Sequence, residues 1–304
     1  MSKGEWASPK SISRQLGVNV QNLDLSSRNK IGEGAFGNVY KFRDLSGNEN
    51  PDYVMKEFKF NVFEKMFDKW GRSGKIPFQL GSVLNKRDMF RREVVTLGKL
   101  SDYNISPKVV YSIDEPKRYI YVMEKMDTTL GDILRKREFT PEQAIKLVNL
   151  AYKYFDVPFY HTDLHPHNIM WSDKLGDFRL IDWGFYRTIK PGKEGDALRF
   201  EKIGEEFSIS QGLIKIVWKY AGEMISKKSV GEEEKKQWKA IKRMILARME
   251  EVFPDPAVKE RYVKNLDKGY FREIFAKGPV EKRTRKRKGT RKKQKKRGKT
   301  RRRK

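Results

Sequence analysis

Two short polar segments constrain this chain more than any other feature: His161-Thr162-Asp163-Leu164-His165-Pro166-His167-Asn168 and, 14 residues beyond Asn168, Asp182-Trp183-Gly184. Asp163, Asn168 and Asp182 carry the hard oxygen atoms that Mg²⁺ prefers. Phosphoryl transfer asks little covalent chemistry of a protein and much positioning and charge neutralisation around the γ-phosphate. An acid and two oxygen ligands at this spacing suit that task, so the fold has to bring both segments to one triphosphate. Either fragment alone also reads as a polar turn or a strand end; their occurrence together and in this order carries the argument.

The upstream half supplies a phosphate clamp. Ile31-Gly32-Glu33-Gly34-Ala35-Phe36-Gly37-Asn38-Val39 is G-x-G-x-x-G-x-V in full. Three glycines at this spacing also open dinucleotide-binding folds, but those require a helix immediately afterwards. Here Val39, Lys41 and Arg43 alternate with Tyr40 and Phe42, which predicts a strand and makes the glycines a hairpin lid over phosphates. A second strand-like run, Asp52 to Phe58, sets Lys56 between apolar neighbours. Val94, Leu97 and Leu100 then recur at helical spacing and place Glu93 on the following helix as the partner of Lys56, with Glu57 and Glu64 as competitors.

Residues from about Lys30 to Gly184 therefore resemble the N-lobe and catalytic loop of the protein-kinase-like superfamily, whose signatures are G-x-G-x-x-G-x-V, a strand lysine, H-R-D-L-x-x-x-N and D-F-G. The resemblance implies a two-lobed α+β fold, with an antiparallel-sheet N-lobe and a reduced, mainly helical C-lobe, that uses ATP and Mg²⁺. It implies that Asp163 is the catalytic base, that Asn168 and Asp182 ligate the metal, and that Lys56, held by Glu93, contacts the α- and β-phosphates. Ile31, Gly32, Gly34, Gly37 and Val39 would close over the nucleotide. Tyr119 to Met126 would form the last strand and hinge, with Met123 as gatekeeper, the backbones of Glu124 and Met126 on the adenine edge, and Asp127 near the ribose. Gly184 would give Asp182 the freedom to point inward.

Three departures from the pattern matter. Thr162 stands where the loop arginine pairs with an activation-loop phosphate, so that form of control loses its cation and activity is constitutive or partner-controlled. His165 replaces the usual loop lysine, giving an H-x-D-L-H-x-x-N loop similar to those of aminoglycoside and choline phosphotransferases and of atypical kinases; it contacts the γ-phosphate or simply hydrogen-bonds within the loop. Downstream of Phe185 no A-P-E and no long Ser/Thr-rich activation segment occurs. Instead Pro191 to Asp196 reads as a turn-rich loop, followed by helices over Ile209–Ile225, Glu232–Val252 and Pro256–Phe275 whose aromatic and Met stripes are core.

At 304 residues, with 38% hydrophobic and 12% aromatic residues, the chain is long and apolar enough for one two-lobed domain. It contains no cysteine, no run long enough to span a membrane and no apolar signal core near Met1, which fits a reducing, intracellular compartment, nuclear or cytoplasmic. The expected organisation is an extension over 1–28 that packs or stays mobile, an N-lobe over 29–126 with an insert at about 60–89, a C-lobe over 127–278, and a disordered tail over 279–304. Residues 282–304 hold 17 Lys or Arg and no acid, and without them the net charge falls from +27 to +10. That segment lacks aromatic residues, so any nucleic-acid contact there would be to phosphates, salt-sensitive and without sequence preference. Nuclear targeting and attraction of an acidic partner are equally readable from it.

The expected acceptor is a protein Ser/Thr hydroxyl. Small-molecule phosphotransfer, or a catalytically inactive scaffold docked on nucleic acid, are the alternatives. The compact C-lobe, missing A-P-E and basic tail together resemble the divergent kinases of large DNA viruses, which would place the chain in a host cell or virion.

Overall fold

Period-two alternation in the N-terminal half becomes a five-stranded antiparallel sheet. A computed structural model describes residues 8–34, 37–58, 86–116, 118–154, 157, 159–161, 164–183, 186–188, 209–252 and 255–267. Strands β1 (Lys30–Gly34), β2 (Gly37–Arg43), β3 (Glu49–Phe58), β4 (Val109–Glu115) and β5 (Arg118–Glu124) lie in the order β1-β2-β3-β5-β4. Side chains alternate between the faces of a strand, so one register decides both surfaces. Val39 pairs with Lys56, Lys56 with Tyr121 and Val54 with Met123. Val54, Phe58, Tyr121 and Met123 thereby join the main core, while Tyr40, Phe42, Met55, Ile120 and Val122 form a second cluster.

That second face is covered by the segment preceding the sheet. Helix α1 (Pro9–Leu16) is capped by the Ser8 hydroxyl accepting from Ser11 N–H and ends at Gly17 in the left-handed region, φ 69°. Ile12, Leu16, Val18, Val20 and Leu23 are all buried against Phe42, Met55, Ile120 and their neighbours. Polar links fix the path: Asn19 N–H donates to the Asp44 carboxylate at 2.9 Å, and Asn50 donates to the Leu16 carbonyl at 3.0 Å. From Ser8 onward the extension is thus a packed part of the sheet unit.

The other face receives helix α2 (Lys86–Asp102), which buries Met89, Phe90, Val94, Leu97 and Leu100. Of the insert expected at about 60–89, residues 86–89 are described and belong to α2, with Met89 in the core. Residues 59–85 lie outside the described residues.

After the sheet come β6 (Thr128–Thr129), α3 (Leu130–Lys136), α4 (Pro141–Tyr154), β7 (Phe159–His161), β8 (Ile169–Ser172), β9 (Asp177–Leu180) and β10 (Tyr186–Thr188). Helix α4 opens with a reciprocal capping box: Thr140 N–H donates to Gln143 Oε1 at 3.1 Å and Gln143 N–H to Thr140 Oγ1 at 3.2 Å. Helices α5 (Ile209–Ser226), α6 (Glu232–Val252) and α7 (Pro256–Asp267) complete the second lobe. α5 buries Leu213, Ile214, Ile216, Val217, Tyr220 and Ala221, and α6 buries the expected stripe Trp238, Ile241, Ile245 and Met249. An antiparallel sheet followed by a mainly helical unit is the two-lobed α+β fold that the motifs imply. The described part of α7 ends at Asp267, so its expected continuation to Phe275, the 191–196 turn and the basic tail lie outside the described residues.

Candidate active site

The strand register brings the charged groups together. β3 presents Lys56 on the face that α2 covers, and α2 presents Glu93 from within its own apolar stripe, between Phe90 and Leu97. Lys56 Nζ lies 3.0 Å from Glu93 Oε1 and 3.1 Å from Asp182 Oδ1. Tyr121, opposite Lys56 on β5, donates its hydroxyl to the same Glu93 Oε1 at 2.7 Å. Glu57 points elsewhere and accepts from the Tyr40 hydroxyl at 3.0 Å, which removes it as the partner of Lys56; Glu64 lies outside the described residues.

Glu93 is fully buried and Lys56 nearly so. Burial alone would push the Lys56 ammonium down, but the Glu93 carboxylate, with Tyr121 and Asp182 beside it, holds it well above its ordinary value. Burial pushes the Glu93 carboxyl up and the Asp182 charge adds to this, while Lys56 and Tyr121 oppose it. Lys56 therefore carries a fixed positive charge at neutral pH. Removing one partner of a buried pair leaves an uncompensated charge and costs about 3–5 kcal/mol.

Asp182 is reached through a locked junction between the two polar segments. Ile181 N–H donates to the Asn168 carbonyl at 3.0 Å, and His161 Nε2 lies 2.9 Å from the Ile181 carbonyl. β10 pairs antiparallel with β7, Tyr186 opposite His161. The Tyr154 hydroxyl accepts from His161 N–H at 3.0 Å and donates to the Phe159 carbonyl. Trp183 fills the space beneath: it is fully buried, edge-on to His161 at 4.6 Å and stacked on Tyr154 at 6.1 Å, with its indole N–H on the Leu180 carbonyl at 3.1 Å. Asp182 itself adopts φ 65°, a conformation few non-glycine residues hold without a surrounding structure that enforces it. The left-handed backbone in this triplet is thus at Asp182 itself, two positions before Gly184. Thr162, Asp163 and Gly184 lie outside the described residues, and the elements flanking them, β7, Asn168 and β10, are the ones just described.

His165 caps the 3₁₀ turn Pro166–Asn168: its Nδ1 accepts from His167 N–H at 3.2 Å. His167 seats on the start of α3, with Nδ1 3.3 Å from Thr129 Oγ1 and its ring so close to Gly131 that a Cβ there would lie 2.6 Å away. Gly37 has a comparable packing role. A Cβ at that position would meet the Glu57 carbonyl at 2.2 Å, whereas one at Gly32 would, among the described residues, touch only Val39, at 3.5 Å. The last glycine of the loop is fixed by β2–β3 contact, a constraint the first does not meet among the described residues. Ile31 is exposed, Val39 packs against the main core, and Gly34 ends β1. At the other edge Met123 is buried, Glu124 N–H donates to the Lys108 carbonyl at 3.0 Å, and Met126 is buried just beyond.

The protein kinase domain family model matches residues 25–288. The chain belongs to the protein kinase family. It is 26% identical over 181 residues to a G-type lectin S-receptor-like serine/threonine-protein kinase of Arabidopsis thaliana, covering 56% of this chain and 18% of the relative. A second kinase of that description from the same plant is 24% identical over 227 residues, covering 71% of this chain and 26% of the relative. The chain thus spans about a quarter or less of the length of those relatives.

Kinase domains in general use Mg·ATP, and the donor set here fits it. Among the described residues no group of three or more His, Cys, Asp or Glu side chains could hold a metal ion. Mg²⁺ needs no such cage, because it keeps several waters and takes one or two protein oxygens together with substrate phosphates. Asp182 and Asn168, tied through Ile181, would supply such a pair. Among the described residues no helix is long and apolar enough to cross a membrane.

Proposed function

We propose that the chain transfers the γ-phosphoryl group of Mg·ATP to a Ser or Thr hydroxyl of a protein. The observation that carries this reading is the placement of Lys56 Nζ between Glu93 and Asp182, at 3.0 and 3.1 Å, which fixes a phosphate-binding cation beside a metal-binding carboxylate. Mg²⁺, when bound, neutralises charge on the β- and γ-phosphates. Asp182 and Asn168 would hold that ion. Lys56 binds the α- and β-phosphates, and Glu93, braced by Tyr121, keeps its ammonium in place. Ile31, Val39 and the glycines Gly32, Gly34 and Gly37 cover the nucleotide, with Met123 behind the adenine and the main chain of Glu124 and Met126 along its edge. Asp163 orients the acceptor hydroxyl and takes its proton as the new O–P bond forms and the bond to ADP breaks.

His165, engaged in capping its own turn, acts by shaping the loop. With Thr162 in place of the loop arginine, the site assembles without an activation-loop phosphate. The names of the two plant relatives favour Ser/Thr as acceptor.

The test is incorporation of labelled phosphate from Mg·ATP into a mixture of acidic, basic and neutral proteins, followed by phosphoamino-acid analysis. Phosphoserine or phosphothreonine is expected, falling by about 10²–10⁴-fold in Asp163→Asn and lost in Asp182→Asn and on chelation of the metal. ATP consumption stimulated only by small hydroxyl compounds would assign a small-molecule acceptor instead. ATP binding without any transfer would leave a scaffold.

A further inference from the structure

The second lobe carries a basic cleft that the phosphotransfer site does not use. It is an open cleft of about 350 Å³ between the end of α5, at Ile225, and the face of α6 bearing Lys236, Lys239, Lys242 and Arg243. Residues 236, 239 and 243 follow i, i+3, i+7 spacing, so their side chains share one stripe of the helix. Among the described residues neither Lys239 nor Arg243 makes an ion pair, and the Lys236 pair with Glu233, at 3.3 Å between exposed groups, contributes little. Ile225 supplies the apolar part of the lining, and the Lys242 ammonium, also at the cleft, lies 3.8 Å above the ring of the buried Trp218 two turns earlier on α5.

We propose that this cleft docks a short acidic segment of the protein substrate, an inference that rests on the protein-kinase reading above. The match is one of charge and length. From Lys236 to Arg243 the helix rises about 10 Å, which an extended peptide spans in about three residues. The stripe is also bounded. The first turn of α6 carries Glu232, Glu233 and Glu234, so a long polyanion running beyond Lys236 would meet three carboxylates, whereas a three- or four-residue acidic run would not. This boundary favours an acidic peptide over a nucleic-acid backbone. Docking here raises the local concentration of the acceptor hydroxyl and leaves the chemistry untouched, so the cleft acts on KM.

The experiment uses the full chain, so that the basic tail contributes the same background throughout. Fluorescence anisotropy follows a labelled peptide with four consecutive Asp, and its four-Asn counterpart, against the wild type, Lys239→Ala/Arg243→Ala, and Lys239→Glu/Arg243→Glu. The Asp peptide is expected to lose about fivefold in affinity in the alanine pair and more in the charge-reversed pair, with the Asn peptide unaffected. The start of α5 touches the catalytic loop, Gly212 against Leu164, and Ile225 lies about 20 Å further along the helix. With a phosphoacceptor joined to the acidic run by a flexible linker long enough to span that distance, KM should therefore rise by a similar factor at unchanged kcat. Equal affinity of wild type and both variants for the Asp peptide overturns the proposal. So does a selective loss of affinity for a short DNA duplex or RNA strand with the Asp peptide unaffected. Loss of peptide binding in the variants of a chain that phosphorylates no protein would uphold the cleft and overturn the kinase reading instead.

Discussion

Tyr121 shows how one hydroxyl can set the competence of a charged site. Glu93 is fully buried, and its Oε1 accepts from both Lys56 and Tyr121. A carboxylate removed from water stays ionised only while its donors are in place. Tyr121→Phe keeps the ring, the strand pairing and most of the volume, and deletes only the donor. Since a hydrogen bond to a charged group contributes about 1.5–3 kcal/mol, the variant should lose about that much stability in urea denaturation. Its KM for ATP should rise as well, because Glu93 no longer has two donors fixing the orientation in which it holds Lys56. Unchanged stability and unchanged KM would mean that Lys56 alone suffices. The Lys56–Glu93 pairing was legible in the sequence, since the lysine falls inside an apolar strand and Glu93 inside an apolar helical stripe. Tyr121 was not, because Tyr119-Ile120-Tyr121-Val122 reads simply as core; only the register that sets Tyr121 opposite Lys56 gives its hydroxyl a task, and register between distant strands leaves no local trace.

At the scale of the element, the position of α2 decides whether Glu93 reaches Lys56, and α2 is tied at its first turns. Arg87 Nε lies 2.8 Å from Asp114 Oδ1 on β4, and Arg91, one turn along, bonds the other carboxylate oxygen, Oδ2. Two arginines on one carboxylate hold the helix against the sheet in the orientation that a kinase controlled by its activation loop must obtain by phosphorylation. The sequence marked α2 by its apolar spacing but gave no sign of this tether, because Asp114 lies 23 residues beyond Arg91. Asp114→Asn should cost about 0.5–1 kcal/mol and lower kcat by loosening Glu93. The pH dependence follows from the carboxyl. Burial would lift it, but the hydrogen bonds and charges of Arg91 and Arg87 hold it below its ordinary 3.8. A depressed folded value means that the tether stabilises fully above 3.8 and that the contribution is lost as pH falls through the lower folded value. Urea denaturation of wild type and Asp114→Asn should therefore differ at pH 6 and converge below that range; a gap that persists in acid would show that the substitution acts through packing.

On the scale of the whole molecule, the sheet has two apolar faces and α2 with the second lobe covers only one. The other is covered by the chain before β1, where Ile12, Leu16, Val18, Val20 and Leu23 are buried against Phe42, Met55, Ile120 and Val122. The sequence left this segment undecided for a physical reason: its apolar residues follow helical spacing as far as Leu16 and near-alternation after it, so no single period runs through it. Burying an aliphatic side chain contributes about 1.5–3 kcal/mol. Five of them rival the whole net stability of a typical domain, about 5–15 kcal/mol, even after the entropy of ordering the segment is set against them. The extension is thus part of the folding unit, and the family match, which begins at residue 25, leaves out a face of the core. A chain beginning at Leu25 should expose Phe42 and Met55, bind a hydrophobic dye and melt well below the intact chain or fail to stay soluble. In contrast, Val20→Asp, a single buried charge on the same face, should reproduce the loss without shortening the chain. If the truncated chain melts with the intact one, α1 and the turn-rich segment after it merely rest on the sheet, and the stability of the N-lobe comes from the α2 face alone.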